Sequence, residues 1–341
     1  MITTFSGESA DVVWRKAANY FRNSKNKSLQ SSRNGETQEL LHVGFAIDDP
    51  KQRWVVSREP TINPAFALAE IVWIMNGSNE AQIINHWNPI LPKFAGHVEK
   101  YHGAYGFRLR NHFGFDQLEK AYFALKKSWD SRQILLQIWD PKSDLPDING
   151  KPVAEDIPCN ICSMLKIRNN RLEWLQILRS NDLFRGLPYN FVQFTCLQEI
   201  LAGWLNIQPG TYNQISDSLH IYTKDKRYFS KLNSRKVCYN YDLLGKSWEE
   251  SEYLFSIIFQ RMKMMAKTNL KESIFYNLAF LPHKEPAYQN LLLVIASDSA
   301  RRRGWGNLAN ELMKKCTNPI YRLLWAGWTK RKKKKIASPF A

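Results

Sequence analysis

The pattern of apolar and polar positions predicts a mixture of helices and strands in the first two thirds of the chain. Residues 11–23 repeat apolar positions at helical spacing. Residues 63–78 and 190–206 are apolar at most positions and predict two buried helices, the first of them ending at Gly77. Strands are predicted at 39–48, at 132–141 before Pro141 closes the segment, and at 218–224.

A second pattern predicts a hairpin and a helical end. Residues 163–180, "SMLKIRNNRLEWLQILRS", alternate on both sides of Asn169-Asn170, which is typical of a β-hairpin. From about residue 235 the pattern is mostly helical. The fold class predicted is α+β, with a mixed or antiparallel sheet and buried helices. We expect a catalytic domain over 1–230 and a helical C-terminal extension over 231–341 that ends in a basic tail.

Composition supports a packed protein in a reducing compartment. The chain has 341 residues, 44% of them hydrophobic, which is enough for one large domain or two smaller ones. Its start lacks the basic and apolar regions of a signal peptide, and no run of 18 apolar residues occurs. Five cysteines is an odd number, which argues against a disulfide framework. We therefore expect a cytoplasmic protein.

The net charge is concentrated at one end. Of the total of +17, residues 301–341 contribute +11, and residues 330–335 read "KRKKKK". Such a run predicts a solvated tail or a surface that touches nucleic acid or anionic lipid.

The stretch "IPCNICSML" carries the first candidate chemistry. Cys159 and Cys162 have Cys-x-x-Cys spacing, which can indicate a metal site, a redox pair, two inert buried thiols, or one nucleophile beside a bystander. A structural zinc site needs four ligands, and the sequence has no second pair. Arg179 follows one hairpin length later, where a guanidinium could favour the thiolate form. With Ser180 it could also bind a phosphate.

A longer series of motifs then resembles the thymidylate synthase family over roughly residues 28–225. The series has Pro-Cys at 158–159, Arg-Ser-x-Asp at 179–182, Gly-Leu-Pro-Tyr-Asn at 186–190 and His-Ile-Tyr at 220–222. Upstream, the positions that match family motifs are Arg33, Glu70, Trp87, Tyr105 and Arg132. The resemblance implies the fold of that family, a homodimer, and 5,10-methylenetetrahydrofolate as co-substrate without a metal.

The resemblance also implies residue roles. Cys159 would add to C6 of a pyrimidine so that C5 becomes nucleophilic toward a one-carbon unit. Glu70 would organise water and move protons, and Tyr105 would help to remove the C5 proton. The implied substrate is a pyrimidine nucleoside 5′-monophosphate. Its phosphate would contact Arg33, Arg179, Ser180 and a partner subunit's Arg132. Its base would contact Asn190, and its sugar would contact His220 and Tyr222. The folate would contact Trp87 and Asp182.

Five positions depart from the pattern of the thymidylate-forming enzymes: Asn160 stands for His, Gln133 for Arg, Leu178 for Gln, Gln214 for a frequent His and Ser218 for Asp. The short closing segment of the family is not recognisable at the end of the sequence. Since hydride transfer requires the exclusion of water, these departures slightly favour hydroxymethylation of C5 over methylation.

Two questions stay open from sequence. The Asn190 carboxamide can pair with uracil, which the family favours, or, after a flip of the amide, with cytosine. The second class of function is a non-catalytic relative that binds nucleic acid through its basic tail.

Overall fold

The computed structural model describes residues 2–23, 28–32, 35–229 and 238–336, with side chains up to residue 330. Its described part is built on one mixed sheet in the order β1-β3-β7-β6-β5-β4, with β2 added on β3. The strands are β1 (Thr3–Gly7), β2 (Ser28–Gln30), β3 (Thr37–Ile47), β4 (Leu135–Gln137), β5 (Asn160–Arg168), β6 (Arg171–Asp182) and β7 (Gln208–Tyr222).

The sheet mixes two kinds of pairing. β1 pairs parallel with β3, and β6 pairs parallel with β7, whereas the other neighbours are antiparallel. Parallel neighbours need a crossover connection, and between β6 and β7 this is a buried helix. The predicted α+β class with a mixed sheet is confirmed.

Thirteen α-helices are described. They are α1 (Ala10–Asn23), α2 (Pro64–Met75), α3 (Ala81–Trp87), α4 (Pro92–Ala95), α5 (Tyr105–Phe107), α6 (Gln117–Lys127), α7 (Pro141–Asp144), α8 (Leu187–Trp204), α9 (Trp248–Ala266), α10 (Glu272–Leu278), α11 (Pro286–Arg302), α12 (Gly306–Lys315) and α13 (Pro319–Ile336). A π-helical turn follows α5 at Arg108–His112, and a 3-10 helix follows β7 at Thr223–Phe229.

The two helices predicted to be buried are the centre of the molecule. In α2, the side chain of Asn63 caps the N-terminus by accepting from the N–H groups of Ala65 and Phe66, and Gly77 follows with φ +59°. In α8, the polar Gln198 is fully buried and donates to the backbone carbonyl of Leu172 at 2.8 Å. Nearly every residue of both helices is buried, as predicted, and a hydrogen bond of this kind satisfies the buried amino group of Gln198.

The hairpin prediction is confirmed, and two strand predictions were inaccurate in length. β5 and β6 meet at Asn169 and Asn170, which have φ of 50° and 56°. The strand predicted at 132–141 occupies only Leu135–Gln137, whereas the strand predicted at 218–224 begins ten residues earlier, at Gln208. The first part of β7 was not predicted because the inner face of this strand is partly polar. The hydroxyl of Tyr212 donates to Gln214 at 2.8 Å, and the Gln214 amide donates to Ser216 at 3.1 Å.

The helices after residue 238 pack into the same hydrophobic cluster as the sheet. Helix α11 contacts α2, α3, α9 and α12, and twelve of its residues are buried. The guanidinium of Arg53 donates a hydrogen bond to one carboxylate oxygen of Glu199 in α8. The other oxygen of Glu199 accepts from the N–H of Leu244. The predicted boundary near residue 230 stays a prediction, but the two parts share one core.

The described helices include none long and apolar enough to cross a bilayer. The basic run at 330–335 falls on the last turns of α13. Its side chains from residue 331 onward lie outside the described residues. Contact of this run with nucleic acid or lipid stays a prediction.

Candidate active site

Cys159 lies immediately before β5, next to the strand that carries Arg179. The N–H of Arg179 donates to the carbonyl of Cys159 at 2.9 Å. The Arg179 guanidinium turns back over the same loop, where it donates to the carbonyls of Pro158 at 2.9 Å and Ile157 at 3.2 Å. It also lies 5.3 Å from the ring centroid of Trp139. The proximity of Arg179 to Cys159 predicted from the hairpin length is confirmed.

Cys162 differs from Cys159 in its surroundings. Its side chain is 6% exposed, and burial raises the pKa of its thiol. None of the five cysteines forms a disulfide. Cys162 is therefore a packing residue, as the alternation of the strand suggested, whereas Cys159 is only half-buried.

Glu70 brings an unusual carboxyl group to the site from helix α2. Burial is the main cause that raises the pKa of Glu70 to about 7; a hydrogen bond with Gln193 acts in the opposite direction, and the negative charge of Asp156 adds to the rise. Its Oε2 is buried without a hydrogen-bond partner among the described residues. A carboxyl group with a pKa near neutrality can both accept and return a proton.

Gln193 connects Glu70 to Asn190 on the first turns of α8. The Asn190 side chain donates through Nδ2 to Gln193 Oε1 at 2.9 Å, which leaves the Gln193 amino group for the Glu70 carboxylate. When Glu70 is ionised its carboxylate can only accept, so it fixes the Gln193 amide, and Gln193 in turn fixes the amide of Asn190. The Asn190 carbonyl oxygen and the second N–H of its amide are not used by Gln193.

Tyr105 stands between these groups and Cys159. Burial raises the pKa of its hydroxyl well above the ordinary value, and the Cys159, Asp156 and Glu70 charges act in the same direction, while the neighbouring Asn160 side chain opposes the shift. Its ring lies 6.0 Å from that of Phe194. The hydroxyl therefore remains protonated and can donate.

Asn160 is fixed from behind by a buried polar cluster on β5 and β6. Its Oδ1 accepts from Gln176 Nε2 at 3.0 Å, and Gln176 Oε1 accepts from Trp174 Nε1 at 3.1 Å and from Ser163 Oγ at 2.6 Å. Asn160 is 0% exposed, and its Nδ2 lies beside the Tyr105 hydroxyl but makes no well-formed hydrogen bond with the described residues.

The remaining predicted ligands of the substrate lie at the carboxyl ends of the parallel pair β6 and β7. Ser180 is level with Ser218, and Asp182 is level with His220. The rings of His220 and Tyr222 are 5.8 Å apart at 89°, and Arg185 lies 4.8 Å from the centroid of Tyr222. The sheet thus brings the predicted phosphate and sugar residues to one edge.

Asp182 is already engaged in the chain turn that leads to α8. Its Oδ1 accepts from the N–H groups of Phe184 and Arg185, each at 2.8 Å. Burial raises the pKa of this carboxyl, whereas those N–H groups and the His220 and Arg185 charges act against the shift. The other oxygen, Oδ2, lies 4.0 Å from Arg185 Nε and can still accept a hydrogen bond from a further ligand.

Three predicted residues lie apart from this cluster. Trp87 is 0% exposed, and its Nε1 donates to the carbonyl of Ile295 in α11 at 3.0 Å, so it has no surface for a folate unless the helices around it part. Arg132 is exposed in the segment before β4, a position from which it could reach another subunit. Arg33 lies outside the described residues.

Sequence reasoning missed Asp156, Gln193 and Gln176. Asp156 Oδ2 accepts from the N–H of Gly103 at 2.9 Å, which brings the loop before Cys159 to the loop before Tyr105. The two glutamines orient Asn190 and Asn160 respectively. None of the three has a motif of its own, but each occupies a polar position in a segment that is otherwise apolar or tied to Cys159.

Comparisons with known proteins identify the family. The family model described as Thymidylate synthase matches residues 30–263. The chain is 35% identical over 175 residues to a protein named deoxyuridylate hydroxymethyltransferase from Pseudomonas phage M6, covering 51% of this chain and 48% of that protein. It is 32% identical over 212 residues to the protein of the same name from Bacillus phage SP01, covering 59% and 54%. Identity to a thymidylate synthase of Phytoplasma mali is 26% over 186 residues, covering 45% and 61%.

The chain belongs to the thymidylate synthase family, because the family model spans more than half of it. The match also reaches residue 263, beyond the 28–225 covered by the recognised motifs. Helix α9 up to Lys263 is therefore part of the family region. The chain spans about half the length of the phage relatives named above.

Proposed function

We propose that this protein transfers a one-carbon unit from 5,10-methylenetetrahydrofolate to C5 of a uridine-type nucleoside 5′-monophosphate, through a covalent bond between Cys159 and C6. The observation that carries the proposal is that Tyr105 interacts with the charges of Cys159 and Glu70, and that Gln193 connects Glu70 to Asn190, although these residues come from separate parts of the chain. Family membership and the names of the phage relatives support the same chemistry.

The reaction starts at Cys159. Its thiolate forms a bond to C6, and the electrons of the C5–C6 double bond move toward the C4 oxygen, which gives an enolate that is nucleophilic at C5. The folate supplies a one-carbon unit at the oxidation level of formaldehyde. C5 then bonds to the methylene carbon of the folate, and the C5 proton leaves toward the group of Glu70, Tyr105 and bound water. The bond between that carbon and the folate nitrogen breaks, which releases tetrahydrofolate and leaves an exocyclic methylene on C5. Water adds to this carbon and gives up a proton to the same group, and the Cys159 thiolate leaves C6 as the C5–C6 double bond forms again.

Asn190 supports uracil over cytosine. Its amino group is directed to Gln193, whose own amino group is held by Glu70. Rotating the Asn190 amide would place two carbonyl oxygens against each other. In the observed orientation, Oδ1 can accept from N3–H of uracil and the second N–H can donate to O4.

The fit to a folate is partial. Asp182 keeps one oxygen available at the edge of the site. Trp87 is covered by α11, so it does not fit as a folate contact in the described conformation. We therefore propose Asp182 as a folate residue, and Trp87 as a packing residue between α3 and α11.

The phosphate and the dimer are linked in this proposal. Arg179, Ser180 and a partner subunit's Arg132 would bind the phosphate, and Arg33 would join them. On the sheet face away from α8, the half-buried Met164 of β5 pairs with Leu175 of β6, and two residues further along β6 the half-buried Ile177 pairs with Ile215 of β7. An apolar face of this kind supports a homodimer through the sheets.

We favour hydroxymethylation of C5 over methylation. Hydroxymethylation requires a water molecule that can reach the one-carbon unit. The unpartnered, buried Glu70 Oε2 provides a place for such a water. The names of the phage relatives support the same product. The five thiols without disulfides suit a reducing compartment, and we place the protein in the cytoplasm.

The test uses purified protein with methylenetetrahydrofolate and each of dUMP, UMP, dCMP and CMP, followed by mass spectrometry. Hydroxymethylation adds CH₂O and leaves tetrahydrofolate, whereas methylation adds CH₂ and leaves dihydrofolate. Cys159→Ser is expected to abolish product, release of tritium from C5, and the covalent adduct. The matched control is Cys162→Ser, which should retain activity. Full activity in Cys159→Ser would refute the mechanism.

A further inference from the structure

We propose that a chain of hydrogen bonds, Trp174–Gln176–Asn160, fixes the polarity of the Asn160 amide so that its amino group faces the reacting pyrimidine. This inference rests on the proposed function and concerns residues that the mechanism has not used. It makes Asn160 a specificity-determining donor, with Trp174 and Gln176 as positioning residues.

The polarity follows from Trp174. An indole N–H can only donate, and it lies 3.1 Å from Gln176 Oε1. The Gln176 amide must then present its amino group on the other side, where it donates to Asn160 Oδ1 at 3.0 Å. The Asn160 carbonyl is thereby occupied, and its amino group is directed away from the cluster.

Ser163 shares the same acceptor but cannot determine its orientation. Its hydroxyl lies 2.6 Å from Gln176 Oε1 and can rotate to donate or to accept. If the Gln176 amide were reversed, the Ser163 hydroxyl could rotate to accept a hydrogen bond. The indole N–H of Trp174 would then face the Gln176 amino group, which is also a donor. Within the cluster, only Trp174 enforces the direction.

The amino group of Asn160 is placed for a ligand. It is buried, makes no well-formed hydrogen bond with the described residues, and has two N–H groups, of which the Tyr105 hydroxyl beside it can engage one; the side chain directly follows Cys159. A buried donor without a well-formed hydrogen bond is unfavourable unless a bound group satisfies it. We therefore expect a bound ligand to place a hydrogen-bond acceptor next to the Asn160 amino group.

The acceptor with the right chemistry is the C4 oxygen of a uracil ring. It is a carbonyl in the substrate and becomes an enolate oxygen when the Cys159 thiolate adds to C6. A preorganised donor stabilises the charge that develops there. Cytosine carries an amino group at the same carbon, so a fixed donor at Asn160 discriminates against it.

The experiment compares Trp174→Phe with Ser163→Ala, each measured with dUMP and dCMP. In Trp174→Phe the Gln176 amide can reverse, so the ratio of kcat/KM for dUMP to that for dCMP should fall about tenfold or more. Ser163→Ala keeps the indole donor and should preserve the ratio within about twofold. Equal effects of the two variants, or a loss in Trp174→Phe that is the same for both nucleotides, would overturn the proposal.

Asn160→Asp provides the second arm, which decides if Trp174→Phe does not fold. The carboxylate can still accept from Gln176, but it presents an acceptor to the substrate, so discrimination should shift toward dCMP. Binding of both nucleotides is measured by calorimetry for every variant. If the wild type releases no tritium from C5 of any nucleotide, the proposed function has failed, while the binding ratios still test the chain of hydrogen bonds. An unchanged ratio in Asn160→Asp would refute the inference alone.

Discussion

The raised pKa of Glu70 predicts a specific dependence of stability on pH. Its pKa is about 7 in the folded protein against 4.5 as the ordinary value, mainly because its carboxyl group is buried. Between these two values the folded state binds more protons at Glu70 than the unfolded state does. Stability from this group is therefore greatest at low pH and is lost as pH rises through the window from 4.5 to about 7.

The magnitude follows from the size of the shift. At about 1.4 kcal/mol per pKa unit, the shift corresponds to about 3 kcal/mol of lost stability once Glu70 is ionised in both states. Most of this loss, about 2 to 3 kcal/mol, falls between about pH 5 and about pH 8. Glu70→Gln removes the titration. We expect the free energy of unfolding of Glu70→Gln, relative to the wild type, to rise by that amount over this range.

The assay is urea unfolding of the wild type and Glu70→Gln at several pH values, with the exposed Glu249→Gln as control. The control should follow the wild type at every pH. Parallel curves for the wild type and Glu70→Gln would refute the argument. In activity assays Glu70→Gln should lose about a hundredfold or more in kcat, since proton transfer is removed. The wild-type rate should rise as pH increases through about 7, so ionisation of Glu70 aids catalysis where it weakens the fold.

Two further predictions concern the support of the site and the dimer. In Gly106→Ala the new methyl group would lie 2.5 Å from the backbone of Ile74, so we expect a loss of about 1 to 3 kcal/mol in urea unfolding and a lower kcat from displacement of Tyr105, whereas Gly306→Ala, whose methyl meets nothing within 4 Å, should leave both unchanged. Arg132→Ala and Cys159→Ser should each be inactive, but an equal mixture that exchanges subunits should regain about a quarter of the wild-type activity, because each mixed dimer holds one complete site. An inactive mixture with demonstrated mixed dimers would exclude the transfer of Arg132 between subunits.

Local chemistry explains what could be predicted from the sequence. Asn169 and Asn170 tolerate positive φ, so the turn of the hairpin is encoded by two adjacent residues. Helix α2 is apolar at nearly every position, and α8 is apolar at most positions and buried at nearly all of them, which is typical of central helices. The distance from Cys159 to Arg179 is set by that hairpin, so their proximity could be inferred from residue count alone.

Long-range pairing explains what could not. The polar residues of β7 look unsuited to a central strand until Tyr212, Gln214 and Ser216 are seen to hydrogen-bond one another. Trp87 matches a family motif, but the covering helix α11 begins almost 200 residues later. Gln176 and Gln193 acquire meaning only from partners on other elements, since an isolated glutamine carries no motif.

The contact between α2 and α11 also bears on how the protein is made. About 220 residues separate the start of α2 from the start of α11. At roughly 5 to 20 residues per second, a ribosome would expose the completed α2 for about 10 to 45 s before its partner emerged. During this interval an almost wholly apolar helix would lack part of its cover. Newly made chains should therefore depend on chaperones more than the stability of the finished protein suggests, and fragments ending near residue 230 should aggregate.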